Sequence, residues 1–599
     1  MLSRGALRLM KDMSYLNYNS REVAIGTLIM GGRQAVRIQS MTNTPTLDIR
    51  ASVGQCLQLW ESGCELIRLA APGIAEARAL GRIRKALDEA GCHIPLCADI
   101  HFRPDAAMEA ARQVEKIRIN PGNYVDRNYR NLRPFPSTEA VMEKALIHLQ
   151  PLLQVCRDYG TAIRLGVNHG SLSPRIIHAY GHTEEGMVAS AMEFIELCEN
   201  QGFTNLVISL KASRPGVTVR ANRLLASRLM QRGTGYPLHL GVTEAGEGMD
   251  GRMISFAGTG TLLGEGLGDT IRVSLTEDPV LEIPVALALR DAYAAVRSRQ
   301  CEHCYQPPWN PIQYERRATT SIHGIGGMNP PVVISDGIRQ EKSGPSGQAA
   351  DFIAVTENKE MLLRQVQESN GESVVIQVRA PGNRNPIETA GTTAVVFNHI
   401  PDHEPDIRLT GQPSIIIQDI LPTWSPAKVR DVLSYWYDHG HSLPLIVRLI
   451  WEKTEDNPLL SLCRCLAPGL LDGLIDGIWL DGPYPHHNLT EMAFGLLQAT
   501  ERRTTRTTYI SCPGCARTSY DIQSVLKKIK AATSAYPHLR IGVMGCVVNG
   551  PGEMAGADYG YVGAGAGKVN LYKGKELIHK NIPEQNAVDA LLTLIAESE

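Results

Sequence analysis

Eight short β-branched or aliphatic runs, each ending in polar residues, constrain the fold of this 599-residue chain more than any other feature. They occupy residues 36–41, 65–69, 94–99, 116–120, 162–168, 206–211, 238–243 and 270–274. Helix-like stretches rich in Ala, Leu, Glu and Arg separate most of them. Parallel strands need such crossovers, and eight strands with right-handed crossovers close most economically as a (β/α)8 TIM barrel of ~250 residues. A helix-like segment over 280–298 completes it, so the first domain is predicted to span 14–298.

In such a barrel every polar strand end lies on one rim, where barrel enzymes carry their chemistry. Five runs put a cation there: Arg68, Arg118, Arg164, Lys211 and Arg272. The period of two residues along a strand sets Arg118 with Asn120, Arg164 with Asn168, and Arg272 with Ser274 on one face each. Arginine forks beside amide and hydroxyl donors describe an anion site able to hold two phosphates. Asp99, His101 and Glu244 are the acid–base candidates on the same rim. Taken singly, an arginine at a strand end is more often a salt-bridge partner, and His101 alone a packing residue. His239, in mid-strand, reads as a hydrogen-bonded core residue. Cys56, Cys64, Cys92, Cys97, Cys156 and Cys198 read as inert core thiols.

A Pro-rich linker over 299–329 follows. It opens on Cys301-Glu302-His303-Cys304, whose thiols read as incidental, with structural zinc the lesser alternative. Residues 330–500 again alternate strands and helices, which predicts an inserted, partly barrel-like α/β domain. Its strand ends carry no comparable run of basic side chains, so a structural or spacing role is expected.

Residues 501–599 form the last domain, of α+β type, and contain Cys512 and Cys515 at C-x-x-C spacing, Cys546, and Glu553 seven positions on in a Gly/Pro-rich loop. A lone C-x-x-C is shared by zinc sites, redox dithiols and iron–sulfur proteins. Zinc would ordinarily want a fourth Cys or His, and a redox dithiol would leave Cys546 unexplained. Three soft thiolates with one exchangeable carboxylate suit a cluster that also meets a substrate. Gly563, Gly565 and Gly567 before Lys568 fall short of a phosphate loop and read as a hairpin. A phosphate-binding barrel lyase with a structural zinc, and a cluster-based redox sensor, remain open beside a cluster enzyme.

The net charge of −2 argues against general nucleic-acid binding, and no apolar run approaches the ~20 residues of a membrane span. The basic first residues read as a short frayed leader. Thirteen cysteines without a secretory pattern fit a reducing compartment, so a cytoplasmic location is expected.

Eight stretches then carry a resemblance: VRIQSMTNTPTLD (36–48), RINPGN (118–123), RLGVNHGSL (164–172), SLKAS (209–213), HLGVTEAGEG (239–248), GDTIRVSLT (268–276), SCPGC (511–515) and GCVVNGPGE (545–553). In this order the chain resembles the 4-hydroxy-3-methylbut-2-enyl diphosphate synthase family of the methylerythritol phosphate (MEP) route to isoprenoids, in its long form with an extra middle domain. The resemblance implies a [4Fe-4S] cluster on Cys512, Cys515 and Cys546, with Glu553 as displaceable fourth ligand. It implies reductive ring opening and dehydroxylation of 2-C-methyl-D-erythritol 2,4-cyclodiphosphate with two electrons, reduced ferredoxin or flavodoxin being the donor. Arg68, Arg118, Arg164, Asn168, Lys211, Arg272 and Ser274 would hold the diphosphate, with Asp99, Thr243 and Glu244 near the reacting carbons. A homodimer is left open. The stretch 251–263 departs from the family, which typically has Lys and Ala where Ile254 and Phe256 stand.

Overall fold

The computed structural model describes residues 17–124, 137–298, 307–336, 349–357, 360–365, 375–379, 393–399, 414–440, 442–548, 550–554 and 556–597. The C-x-x-C pair Cys301/Cys304 lies outside them. The chain divides into two compact units, Met1–Cys304 with Arg506–Glu599, and Tyr305–Thr505.

The first unit opens with an antiparallel hairpin, Val23–Ile25 against Leu28–Met30. Its Val23, Ile25 and Met30 pack on Leu66, Cys97, Ala162 and Val207 from four strands and plug the barrel floor with apolar side chains. The barrel strands are β1 (Arg37–Met41), β2 (Leu66–Ala70), β3 (Leu96–Asp99), β4 (Lys116–Ile119), β5 (Ala162–Asn168), β6 (Leu206–Lys211), β7 (His239–Leu240) and β8 (Thr270–Ile271). All pairings are parallel, in the order β6-β5-β4-β3-β2-β1-β8-β7, and a bridge between Ile208 and Leu238 closes the ring. Side-chain caps start several of the intervening helices: Asp48 accepts from Ala51, Ser137 from Ala140, Thr183 from Gly186 and Asp278 from Val280. Each such cap stabilises by about 1 kcal/mol and fixes where a loop gives way to a helix.

Strands β7 and β8 are shorter than the runs 238–243 and 270–274 predict. Gly241 leaves extended geometry, with φ 155°, and a Cβ there would sit 2.4 Å from the Arg272 carbonyl and 2.8 Å from the Lys211 ammonium. The chain therefore breaks strand form where two cations crowd the rim, and only glycine fits. The departing stretch 251–263 is helical with a π-turn at Phe256–Gly260.

In the second unit β9 (Val332–Asp336), β10 (Phe352–Glu357), β11 (Glu360–Gln365), β12 (Val375–Arg379), β13 (Thr393–Phe397), β14 (Ser414–Ile420), β15 (Leu445–Ile450) and β16 (Gly477–Asp481) form a closed barrel. Only β11 runs antiparallel to its neighbours. Its core gathers Ile334, Phe352, Leu363, Ile376, Ile415, Ile417, Ile446 and Trp479.

The chain then returns to the first unit. Strands β17 (Thr508–Ser511), β18 (Arg540–Met544), β19 (Tyr559–Gly565), β20 (Lys568–Lys573) and β21 (Glu576–Pro583) lie in sequential order, parallel as far as β19 and antiparallel after it. The glycines 563–567 do form a hairpin, between β19 and β20. Helices Ile522–Thr533 and Glu584–Ala596 bury Val525, Leu526, Ile529, Leu591 and Ile595 on this sheet. The first begins at Ile522, where Asp521 caps it by accepting from the Ser524 N–H at 3.2 Å.

Candidate active site

Parallel pairing of β17 with β18 brings their carboxyl ends side by side, and each end releases a cysteine. Cys512 follows Ser511, its N–H still bonded to the Val543 carbonyl at 3.3 Å. Cys546 follows Met544 by one glycine, and the Gly545 N–H donates to Cys512 Sγ at 3.2 Å. Cys515 is tied into the same turn by its N–H to Thr518 Oγ1 at 3.0 Å. A short helix, Gly550–Glu553, presents the carboxylate.

This loop cluster sits on the barrel mouth of its own chain. The 245 position bridges Ser511 in parallel fashion, and Thr276 Oγ1 lies 2.7 Å from Ser511 Oγ. Lys530 pairs with Glu247 at 2.9 Å, and Ser213 donates to the Glu553 carbonyl at 3.4 Å. The closest approach is backbone on backbone: a Cβ on Gly552 would lie 1.7 Å from the Gly170 carbonyl oxygen. Glycine is required there for the two halves to meet.

One cavity, with about 810 Å³ of atom-free space including its opening, lies between them. Every residue expected at the site lines it: Arg68, Arg118, Arg164, Asn168, Lys211, Arg272 and Ser274, with Asp99, Thr243, Glu244, the three cysteines and Glu553. His101 lines it too. Asn120 is spent elsewhere, donating to Ser171 Oγ and accepting from the Gly122 N–H. His239 is the expected core residue, 3.1 Å from the Lys211 ammonium. Cys56, Cys64, Cys156 and Cys198 are buried thiols pushed up to about 12, chiefly by desolvation.

Burial and like charge work against the cations of the mouth. Desolvation, with Arg68 adding repulsion, brings Arg164 down to about 9, and Arg68 itself falls to about 10. Lys211 is driven well below an ordinary lysine by burial and by Arg164, Arg68, Arg272 and Arg118. Two carboxylates offset part of this. Glu282 pairs with Arg272 at 3.3 Å and accepts from Ser40 at 2.9 Å. Burial opposes the charge of Asp99, but His101, Arg68 and Arg118 outweigh it and hold its carboxyl well below the usual range. Arg118 reaches Asp99 at 3.1 Å and the Gly166 carbonyl at 2.8 Å. Burial keeps His101 neutral, at about 3, despite Asp99 beside it.

Glu244 and Glu553 behave oppositely. Burial raises both; the Glu244 charge raises Glu553 further, whereas the hydrogen bond from Glu553 lowers Glu244, so the proton of the pair resides on Glu553. Thr243 donates to Glu553 Oε2 at 3.3 Å, whereas Oε1 is buried without a hydrogen-bond partner. Glu244 adopts a left-handed backbone, φ 52°, a strained geometry that recurs at functional sites.

Sequence reasoning missed Arg517 and Glu282. Arg517, two residues after Cys515, points into the cavity and donates to Asp99 Oδ2 at 3.2 Å. Its spacing from the C-x-x-C pair was the available signal. Glu282 follows Asp278-Pro279 by one helical turn, but nothing local ties it to Arg272.

Among the described residues no three His, Cys, Asp or Glu side chains are gathered closely enough to share a single metal ion. The donor set of three thiols and an orphaned carboxylate oxygen fits instead a group that brings its own sulfides and spans a wider cavity. No helix among the described residues is long and apolar enough to cross a membrane.

Two family models match the chain: the GcpE TIM-barrel domain over residues 20–287 and the GcpE protein C-terminal domain over 508–597. Curated relatives align over nearly full length. One from Parabacteroides distasonis is 42% identical, covering 98% of this chain and 99% of its own. One from Akkermansia muciniphila is 38% identical, covering 97% of each. One from Leptospira interrogans is 37% identical, covering 98% and 97%. All three are named 4-hydroxy-3-methylbut-2-en-1-yl diphosphate synthase (flavodoxin).

Proposed function

The chain belongs to the GcpE family of 4-hydroxy-3-methylbut-2-en-1-yl diphosphate synthases, enzymes of the MEP route, and from that premise we propose how its cavity performs the reaction. Enzymes of this family are generally iron–sulfur proteins. Here Cys512, Cys515 and Cys546 would hold a [4Fe-4S] cluster, with Glu553 in the fourth position as an exchangeable ligand. When bound, the cluster supplies electrons and an electrophilic site for the departing oxygen.

The chain's own residues do the rest. Arg68, Arg118, Arg164, Lys211 and Arg272, with Asn168 and Ser274, bind the phosphates of 2-C-methyl-D-erythritol 2,4-cyclodiphosphate. The mouth holds these cations against their mutual repulsion, which an incoming diphosphate relieves. That gain is made away from the reacting carbons, where it orients the ring. Opening the ring and expelling a hydroxyl as water consumes two electrons and a proton. Glu244 is the proton donor: it lines the cavity, and its own burial raises its carboxyl above the ordinary range. Thr243 orients Glu553 through its hydroxyl. Asp99 fixes Arg118 at its working angle, and neutral His101 lies 2.9 Å from the same guanidinium. Reduced flavodoxin is the donor, in keeping with the relatives' name, and ferredoxin can take its place.

The observation that carries this reading is a single cavity lined by the barrel cations, the Glu244–Glu553 pair and all three cysteines. Anaerobic turnover of the cyclodiphosphate, with iron and sulfide quantified, tests it. Brown protein containing both and active under reductant is expected, with Cys546→Ser losing both colour and turnover. Full activity of Cys546→Ser, or zinc in place of iron, would overturn the assignment.

A further inference from the structure

Arg517 enters the cavity from the cysteine side, whereas the other cations of the mouth come from barrel strands. Its side chain is 15% exposed. One terminal nitrogen donates to Asp99 Oδ2 at 3.2 Å, across the junction of sheet and barrel, while its buried Nε has no hydrogen-bond partner. Cys515, Cys546 and Asp99 line the same cavity beside it. Asp99 in turn is shared with Arg118 at 3.1 Å and lies 3.2 Å from His101. A cation on the cysteine side of the cavity, paired with a carboxylate reaching over from the barrel, is an electrostatic couple with a defined direction.

We propose that Arg517 is a positioning residue for the reaction: paired with Asp99, it joins the cysteine loop to the barrel mouth and sets how readily the centre held by Cys512, Cys515 and Cys546 accepts an electron. The inference rests on the cluster reading above. Charge near a cluster is one of the recognised determinants of its potential. A positive guanidinium favours the reduced, more negative state, and a carboxylate closing on that guanidinium weakens the effect. Substitutions at the two ends of the pair must therefore act with opposite signs, which loss of a structural clamp would not produce.

Spectroelectrochemical titration of the anaerobically prepared full chain, without substrate, reads this directly. Arg517→Gln should move the midpoint to more negative potential by roughly a tenfold change in the reduction equilibrium, about 59 mV for one electron. Arg517→Lys should recover most of the shift, because it restores the charge. Asp99→Asn should move the midpoint to more positive potential. If the unsubstituted protein holds no iron and sulfide, the cluster reading fails. If it holds them but Arg517→Gln leaves the potential unchanged, the inference fails. It also fails if Gln and Lys shift it equally, or if Asp99→Asn moves it the same way. Should Arg517→Gln not retain a cluster, a midpoint near the native value in Arg517→Lys together with a more positive one in Asp99→Asn supports the inference, and an unchanged midpoint in Asp99→Asn overturns it.

Discussion

The barrel of β1–β8 gathers Arg68, Arg118, Arg164, Lys211 and Arg272 at the carboxyl ends of its strands, whereas the barrel of β9–β16 places Asp336, Asp419 and Asp481 there around a single described cation, Arg448. In the second mouth the one described cation is fully engaged. Arg448 makes two bonds of 2.7 Å to Asp419 and lies 4.7 Å over the Trp479 ring, whose N–H donates to Asp336 at 3.1 Å. In the first mouth Asp99 and Glu282 engage Arg118 and Arg272, but Lys211 is buried among arginines with a neutral histidine as its neighbour. An anionic ligand would relieve the concentrated positive charge of the first rim, whereas Arg448 is already satisfied within the second.

Substitutions that separate the two roles can break this contrast. The largest effect is expected at Glu553→Ala, which should reduce turnover by more than the ~10–100-fold typical of residues supporting a metal ligand, while iron content falls much less. Equal loss of iron and turnover would remove the exchangeable-ligand role. Next, Lys211→Met should raise KM on the order of 10–100-fold, as one charge-assisted bond to phosphate warrants, without lowering Tm. A fall in Tm would mean that the lysine serves the fold. Third, Arg448→Ala should do the reverse, costing about 3 kcal/mol in the denaturant unfolding of the second barrel because Asp419 is left mostly buried and unpaired, with KM unchanged.

The smallest effect concerns pH. Burial and the nearby Asp481 raise the Asp336 carboxyl to about 7, well above the ordinary aspartate range. The fold therefore favours its protonated form. That contribution is complete below about pH 4 and is lost as pH rises through about 7. The second barrel should unfold more easily at pH 8 than at pH 5, by on the order of 1–2 kcal/mol, and Asp336→Asn should flatten the dependence. A pH-independent Tm in the native chain would remove the shared proton from that rim.

Much of the first barrel was legible because parallel strands buried on both faces read as apolar runs, and β5 and β6 coincide with theirs. The rim cations were legible through period-two geometry, and the cysteines through their spacing. What escaped depends on contacts distant in sequence. Asn120 shares a face with Arg118 on paper, yet the chain turns at Pro121 and uses the amide to tie the loop. Glu282 reaches Arg272 only once helix Pro279–Ala292 packs beside β1. Arg517 meets Asp99 across 418 positions, which no local pattern encodes. In the second barrel the sequence pattern suggested only a partial barrel, because the pairings that complete the ring, β10 with β11 and β12 with β13, involve short strands between weakly patterned segments.

That one chain supplies both halves of the cavity can be tested by complementation. Lys211→Ala spoils only the anion mouth and Cys546→Ser only the cysteine cage. The two variants, co-expressed and co-purified through different tags, should show no more activity than the sum of each alone, because neither molecule contains a complete cavity. Recovery of turnover in the mixed assembly would mean that the mouth of one chain works with the cysteines of another, and would contradict closure within a single chain.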